Sequence, residues 1–325
     1  MHILVVRNNS NPQAVDASLL LATYLGEQGI QAYVVDSAEL GNDQGRAFIR
    51  TQLPEVLDMV IVLGGDGTVL HTVHLLGERE CPVLPVNFGR LGFLANEDTD
   101  GLVPLVARAL AGELPVERRS RLKVEVVCTG DADPYGDEEG LEGEFTAPES
   151  PAPAASGNEP EGDRFGVNRA GLTGARCFHA LNEAALTRGE LGRIIELTLN
   201  ISGTSVANMR GDGIVVSTAT GSTGYALSAG GPLVSPAFDG MIAVPIAPHT
   251  LRARAVLTNA SDVIEVTAED TEQFREATLF IDGELMLFPE PIRKLYLSID
   301  ADPVRIMRTS EASFYEHLSS VFFAD

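Results

Sequence analysis

Residues 59–76 limit the fold more than any other stretch. Met59-Val60-Ile61-Val62-Leu63 is apolar at every position, Gly64-Gly65-Asp66-Gly67-Thr68 ends the run, and Val69 to Leu76 carries helical spacing toward another apolar run at Val83–Val86. A strand that is apolar on both faces has to be covered on both, and a parallel sheet flanked by helices does this. The first 35 residues show the same alternation, with an aliphatic strand at 3–6, helical spacing over 12–28 stopped by Gly29, and a strand at 31–35. The sequence therefore predicts an α/β domain with a parallel sheet over residues 1–115 that carries the glycine loop.

After this the pattern changes. From Leu122 the recognisable segments are strands at 122–128, 177–187, 193–201, 213–218, 242–246, 262–267, 277–282 and 293–299, separated by Gly, Pro and Asn. A β-rich, mainly antiparallel domain over 116–300 is expected, followed by a C-terminal segment, 301–325, with an amphipathic helix from Ala312 to Phe323. Residues 131–163 hold 11 acidic residues, five prolines and no Lys or Arg. Such a composition buries too little apolar surface to offset ordering entropy, so a disordered insertion is expected.

Composition narrows the function. The chain has 325 residues, 44% of them hydrophobic, which suits two cores. Its 23 Lys and Arg face 46 Asp and Glu, and a net charge of −23 repels nucleic-acid phosphates and anionic lipid alike. Neither nucleic acid nor a membrane is an expected partner. Cys81, Cys128 and Cys177 lack CxxC spacing and read as reduced thiols. The apolar start at residues 3–6 is too short for a signal peptide, and no run approaches the ~20 residues of a membrane span. A cytoplasmic location is expected.

Three segments could carry chemistry. In the glycine loop, Gly64, Gly65, Gly67 and Thr68 form a candidate phosphate loop, since residues without Cβ admit a close phosphate and the N–H groups of a helix start attract it. A carboxylate opposes phosphate there unless it accepts a hydroxyl proton or holds a divalent cation. On the pentapeptide alone, Asp66 as a helix N-cap in a plain turn is an equal reading. The second segment runs from Arg210-Gly211-Asp212-Gly213 through Thr223, Gly224, Tyr225, Ala226, Leu227 and Ser228, rich in small hydroxyl residues and glycine. It offers many donors with little bulk, suited to a ribose, an amide or a phosphate, although polar turns share that composition. The third, Asn182-Glu183, falls inside the apolar strand Phe178–Leu186. There an exposed acid on an edge strand competes with a base-reading Asn beside a ribose-binding Glu, and the residues alone favour the former. The six histidines, His71 and His74 among them, show no metal-ligand spacing, so no metal site built from protein alone is expected.

Taken in order, LGGDGTVL (63–70), NFGRLGFLA (87–95), Leu181-Asn182-Glu183, RGDGIVVSTATGSTGYALS (210–228), Ala247-Pro248-His249-Thr250-Leu251 and Asp282-Gly283 resemble the NAD kinase family. The resemblance spans most of the chain outside the acidic insertion. It implies an active site between an N-terminal α/β domain and a β-rich C-terminal domain, a fold shared with diacylglycerol kinases. It also implies a homo-oligomer, dimer or tetramer, and transfer of the γ-phosphate of ATP, or of polyphosphate, to the adenosine 2′-hydroxyl of NAD. Mg²⁺ would arrive with ATP.

By the same resemblance Asp66 is the catalytic residue, Gly67 lines its site, and Phe93 lies near the adenine. Asn182 and Glu183 contact base and ribose hydroxyls, and Asp212 lies toward the nicotinamide. Thr223 through Ser228 surround the adenosine, and Arg193 and Arg210 reach the dinucleotide. His71, Gly224 and Glu284 stand where Arg, Ala and Gln are commoner in the family, and the first of these puts donor preference in doubt. The rival readings are a lipid kinase of the diacylglycerol or sphingosine type, and a non-catalytic NAD(P)-binding sensor.

Overall fold

The computed structural model describes residues 1–40, 51–77, 79–89, 92–96, 101–136, 167–168, 176–189, 193–250, 252–269, 277–309 and 314–323. Residues 137–163 of the acidic insertion, Arg90 and Leu91 of the 87–95 segment, and Leu251 lie outside them. Among the described residues no helix is long and apolar enough to cross a membrane.

In the first sheet, β1 (His2–Arg7), β2 (Gln31–Asp36), β3 (Met59–Gly64) and β4 (Val83–Asn87) pair in parallel in the order β2-β1-β3-β4. Alternation along the strands assigns each apolar side chain to one of two cores. Ile3, Val5, Met59, Ile61 and Leu63 meet the helices Pro12–Glu27 and Leu102–Leu110, while Leu4, Val6, Val60 and Val62 meet Val69, Val73 and Leu76 of the helix Asp66–Leu76. Asn11 caps the first of these helices through the backbone N–H groups of Gln13 and Ala14, and Pro12 occupies its first turn.

Two further strands complete this sheet, β5 (Val116–Arg119) and β19 (Val304–Met307), with β19 parallel to β4 and antiparallel to β5. The sequence reading puts 116–119 with the β-rich unit and 304–307 in a C-terminal segment, but by hydrogen bonding both belong to the first sheet. Two four-residue strands, one with three charged residues and the other with Arg305 inside it, are too short and too polar to announce such a partner. Ile306 is fully buried there. Ile306→Ala is expected to lower stability by about 2–5 kcal/mol, read from urea unfolding; a loss below about 0.5 kcal/mol, the range of surface changes, would mean that β19 is not seated in this core.

The β-rich unit is a sandwich. One sheet runs β11 (Thr204–Gly211), β10 (Ile195–Ile201), β15 (Ile264–Ala268), β18 (Ile292–Ile299), β6 (Leu122–Cys128), β8 (Cys177–Ala180). The other runs β14 (Val256–Leu257), β13 (Ile242–Ile246), β12 (Gly213–Ser217), β9 (Glu183–Arg188), β16 (Ala277–Ile281), β17 (Glu284–Met286), β7 (Val167–Asn168). Between them lie Leu122, Val124, Ile195, Leu197, Ala184, Leu186, Ile214 and Val216. The opposite face of the second sheet, with Ala185, Val215, Ile242 and Val244, is covered by Ala219 and Ala226 of the small-residue segment. That segment therefore lies flat on a sheet, where bulkier residues would hold it away.

The continuous strand expected over 177–187 is broken at Leu181-Asn182. Asp282 is the cause. Its carboxylate accepts the backbone N–H groups of Leu181, Asn182 and Glu183 at 2.7, 2.7 and 2.9 Å, so these donors are satisfied outside any strand ladder. Asp131 and Asp133, which the composition places in a disordered insertion, are held by side-chain bonds. Asp131 accepts the Cys128 N–H and pairs with Arg176, and Asp133 pairs with Lys294 and accepts from the Tyr296 hydroxyl.

Candidate active site

The glycine loop joins β3 to the helix Asp66–Leu76, whose N-cap is Gly65. Gly64 lies against the Thr68 side chain, which a Cβ on Gly64 would strike, whereas Gly65 and Gly67 face open space. Asp66 does not cap its own helix. Its Oδ2 accepts the N–H of Phe93 at 2.8 Å and its Oδ1 those of Leu94 and Ala95 at 3.1 and 3.2 Å. Three backbone donors hold the carboxylate in one orientation, and Oδ2, with a single donor, keeps the larger acceptor capacity.

The 93–95 backbone is itself clamped. Arg308, just beyond β19, donates to the carbonyls of Leu94 and Phe93 at 2.7 and 3.0 Å and to Glu117 Oε2 at 2.7 Å. Glu117 also accepts from Arg119 at 3.0 Å, and Arg119, 3% exposed, reaches Thr220 Oγ1 at 3.3 Å. Burial pushes the Glu117 carboxyl up, but Arg119 and Arg308 outweigh it and hold it below its usual range. Burial and the like charge of Arg308 lower the Arg119 pKa, with Glu117 and Asp66 opposing. Glu117 and Asp66 thus balance two guanidinium charges, and a chain of hydrogen bonds runs from Asp66 to the start of the small-residue segment.

On the sheet face that bears this segment lies a cavity of about 490 Å³, lined by Glu183, Asp212, Tyr225 and Gly283 together with Ala185 and Phe280. Glu183 is buried, and its Oε2 has no partner among the described residues. Burial, and next the charge of Asp282, raise its carboxyl to about 7, against the pull of the Tyr225 backbone N–H. The neighbouring Asn182 carbonyl accepts the Thr218 N–H at 2.9 Å, and Gly221 packs against the same oxygen. Gly224 lies over Glu183, where a Cβ would stand 3.2 Å from Oε2.

Glu183, Asp212 and Tyr225 therefore share one cavity, while Asp66, Gly67 and Thr68 sit on the loop linked to it. Asp212 pairs with Arg188 at 3.3 Å, and Glu284 Oε1 stands 4.0 Å from His74 Nδ1. The Phe93 ring is met edge-on by His317 at 4.6 Å and flanked by Phe314 and Phe322 of the C-terminal helix. Arg210 is bound to Glu196 through Nε and Nη2 at 3.0 and 2.9 Å on the exposed side of β11, and Arg193 and His71 are exposed. Thr223, Gly224 and Leu227 are half-buried, Ala226 is buried and Ser228 is exposed.

Residues 3–114 match the model described as the ATP-NAD kinase N-terminal domain, and residues 181–295 that of the ATP-NAD kinase C-terminal domain. An NAD kinase of Pseudomonas fluorescens is 30% identical over 318 residues, 97% of this chain and 93% of that protein. The chain belongs to the NAD kinase family. It is an enzyme of that family, related also to the NAD kinase of Lachnoclostridium phytofermentans, 27% identical over 99% of this chain and 98% of the relative. Two solved structures of NAD kinase type share its fold. Yeast NADH kinase complexed with NADH has a TM-score of 0.74 at 19% identity, covering 100% of this chain and 89% of that one. An NAD kinase from Archaeoglobus fulgidus in complex with ATP has a TM-score of 0.66 at 22% identity, covering 99% and 100%. This kinase fold also contains contacts around these segments that reading the residues misses. Gly92 packs directly on the Asp66 carboxylate, and Arg308, Glu117 and Asp282 hold the site from distant parts of the chain. Gly92 and Asp282 carry a sequence signal, the first inside the matching 87–95 segment and the second in the last matching pair.

Proposed function

We propose that this enzyme transfers the γ-phosphoryl group of MgATP to the adenosine 2′-hydroxyl of NAD, giving NADP and ADP. The carrying observation is the Asp66 carboxylate, fixed by three N–H groups on a glycine loop at a helix start. The bond from the 2′-oxygen to phosphorus forms, the bond from the γ-phosphorus to the β,γ-bridging oxygen breaks, and the hydroxyl proton passes to Asp66. Phosphoryl transfer asks a protein mainly for alignment and charge neutralisation. Gly65 and Gly67, which face open space, admit the phosphates, with Gly64 and the buried Thr68 packed together behind them. Asn182 and Glu183 take the base and ribose, Asp212 the nicotinamide end, and Thr223 through Ser228 the adenosine, with Phe93 beside the adenine. His71, Arg193, Arg210 and Glu284 complete the dinucleotide contacts, Arg210 after release from Glu196. ATP is the donor, Mg²⁺ its divalent ion, and the enzyme acts in the cytoplasm as a dimer or tetramer.

Two carboxylates lining the cavity favour a hydroxyl-rich dinucleotide over the acyl chain of a lipid kinase substrate. The test is incubation with NAD, ATP and Mg²⁺. NADP formation is expected, none in EDTA; NAD binding without turnover would leave a sensor, and turnover of diacylglycerol alone a lipid kinase. Replacing ATP by polyphosphate decides the donor, and light scattering the assembly.

Glu183 gives this reading a pH signature. Its ionised form accepts two ribose hydroxyls, and with a carboxyl pKa near 7 that form is lost as pH falls. Below pH 7, kcat/KM for NAD should therefore drop toward tenfold per unit, a limb that reports the free enzyme. Glu183→Gln should be slower at pH 8 and lack this limb; an unchanged limb would assign the titration to another group.

A further inference from the structure

His74 projects from the Asp66–Leu76 helix, two turns beyond Asp66, toward the β-rich unit. Its Nε2 lies 2.7 Å from Asp282 Oδ2, across 208 residues of sequence. The Asp282 side chain is wholly buried, against 22% exposure for His74. Asp282 is also the residue that accepts the N–H groups of Leu181, Asn182 and Glu183, and its own N–H donates to the Glu183 carbonyl at 2.9 Å. It does so at φ +47°, a conformation rare outside glycine, so its place is set by these bonds and not by backbone preference.

We propose that His74 is a positioning residue for the acceptor site: through Asp282 it fixes the 181–183 turn, and with it Asn182 and Glu183, relative to the glycine loop that carries Asp66. The helix with the proton acceptor and the turn with the ribose ligands come from different sheets. Alignment of hydroxyl and carboxylate needs a rigid link between them, because an ångström of slack costs orders of magnitude in rate. A second tie supports the same register, since Arg121 donates to the carbonyl of Gly77, at the end of this helix, at 2.6 Å. Charge agrees with the geometry. Burial works against the His74 imidazolium, but its hydrogen bond to Asp282 and the charges of Asp282 and Glu284 outweigh burial and the opposing Arg121, raising its pKa.

The inference rests on the NAD kinase reading for its kinetic readout and on the fold alone for its structural one. In His74→Leu the KM for NAD should rise about tenfold, the loss expected for a hydrogen bond to a charged group, while the KM for ATP moves less than about twofold. His74→Gln, whose amide nitrogen stands near the place of Nε2, should restore the KM for NAD. His74→Asn, whose amide falls short of Asp282, should behave like Leu. Amide exchange at Leu181–Glu183 should quicken in the Leu and Asn variants and remain slow in Gln. Equal shifts in both KM values, or exchange at 181–183 indifferent to all three changes, would overturn the proposal. A wild-type enzyme that makes no NADP would sink the reaction reading instead, and exchange would still decide the role of His74. Should the Leu variant fail to fold, the Asn and Gln pair carries the same comparison.

Discussion

On the proposed mechanism, Asp66→Asn is expected to lower kcat by about 10²–10⁴-fold, the usual contribution of a positioned general base, with KM values for NAD and ATP within about threefold of wild type. The amide keeps the shape of the carboxylate and can still accept from Leu94 and Ala95 through one oxygen. Its NH₂ then confronts the Phe93 N–H that Oδ2 now accepts. One unmet buried donor costs about 1–3 kcal/mol of stability, which a folded domain tolerates and a thermal melt would register. The lost proton acceptor is felt only as the 2′-oxygen attacks, so turnover falls and substrate binding does not. Steady-state kinetics on folded variant decide it, and a near-normal kcat would remove Asp66 from the chemistry.

A comparable loss is expected from a methyl group that touches no substrate. In Gly92→Ala the new Cβ lands on the Asp66 carboxylate, in contact with Cγ and both oxygens. The acid cannot withdraw without abandoning the three N–H groups that hold it, and the 93–95 backbone cannot withdraw without breaking its bonds to Arg308. Either adjustment shifts the proton acceptor by an ångström or so, and kcat should fall by at least about 10²-fold. Retention of wild-type turnover by a folded Gly92→Ala enzyme would show that Asp66 and the 92–95 backbone are not held together in the working state.

The sequence makes the first sheet and the identity of the glycine loop legible because both are local. Five consecutive apolar residues at 59–63 need cover on two faces, and the loop follows at once. It is less informative wherever a partner is distant. Nothing in Phe178–Leu186 signals that Asp282 takes three of its amides, so the segment reads as one strand and Asn182-Glu183 as an exposed edge. Arg119, Glu117 and Arg308 look like ordinary surface charges on short strands, and only pairing β5 with β19 brings them together beneath Asp66. Strand β11 escapes notice because Thr204 to Asn208 mixes polar and apolar residues and is largely exposed, Val206 included, with Met209 its buried apolar residue. His74 is the sharpest example. Read for metal-ligand spacing it carries nothing, and its partner lies on a hairpin of the other unit.

The seat of β19 between β4 and β5 bears on how the polypeptide is made. A ribosome delivers β1 to β4 early, yet the strand that closes the far edge of β4 emerges only after the whole sandwich has been translated. Throughout that interval Asn96 already bonds Pro85 and Asn87, but the Val83 end of β4 lacks its partner Ile306 and leaves apolar side chains uncovered, the kind of border that invites pairing with another nascent chain. Stalled or prematurely terminated products lacking residues 304–307 should therefore accumulate in inclusion bodies and not as a soluble, inactive half.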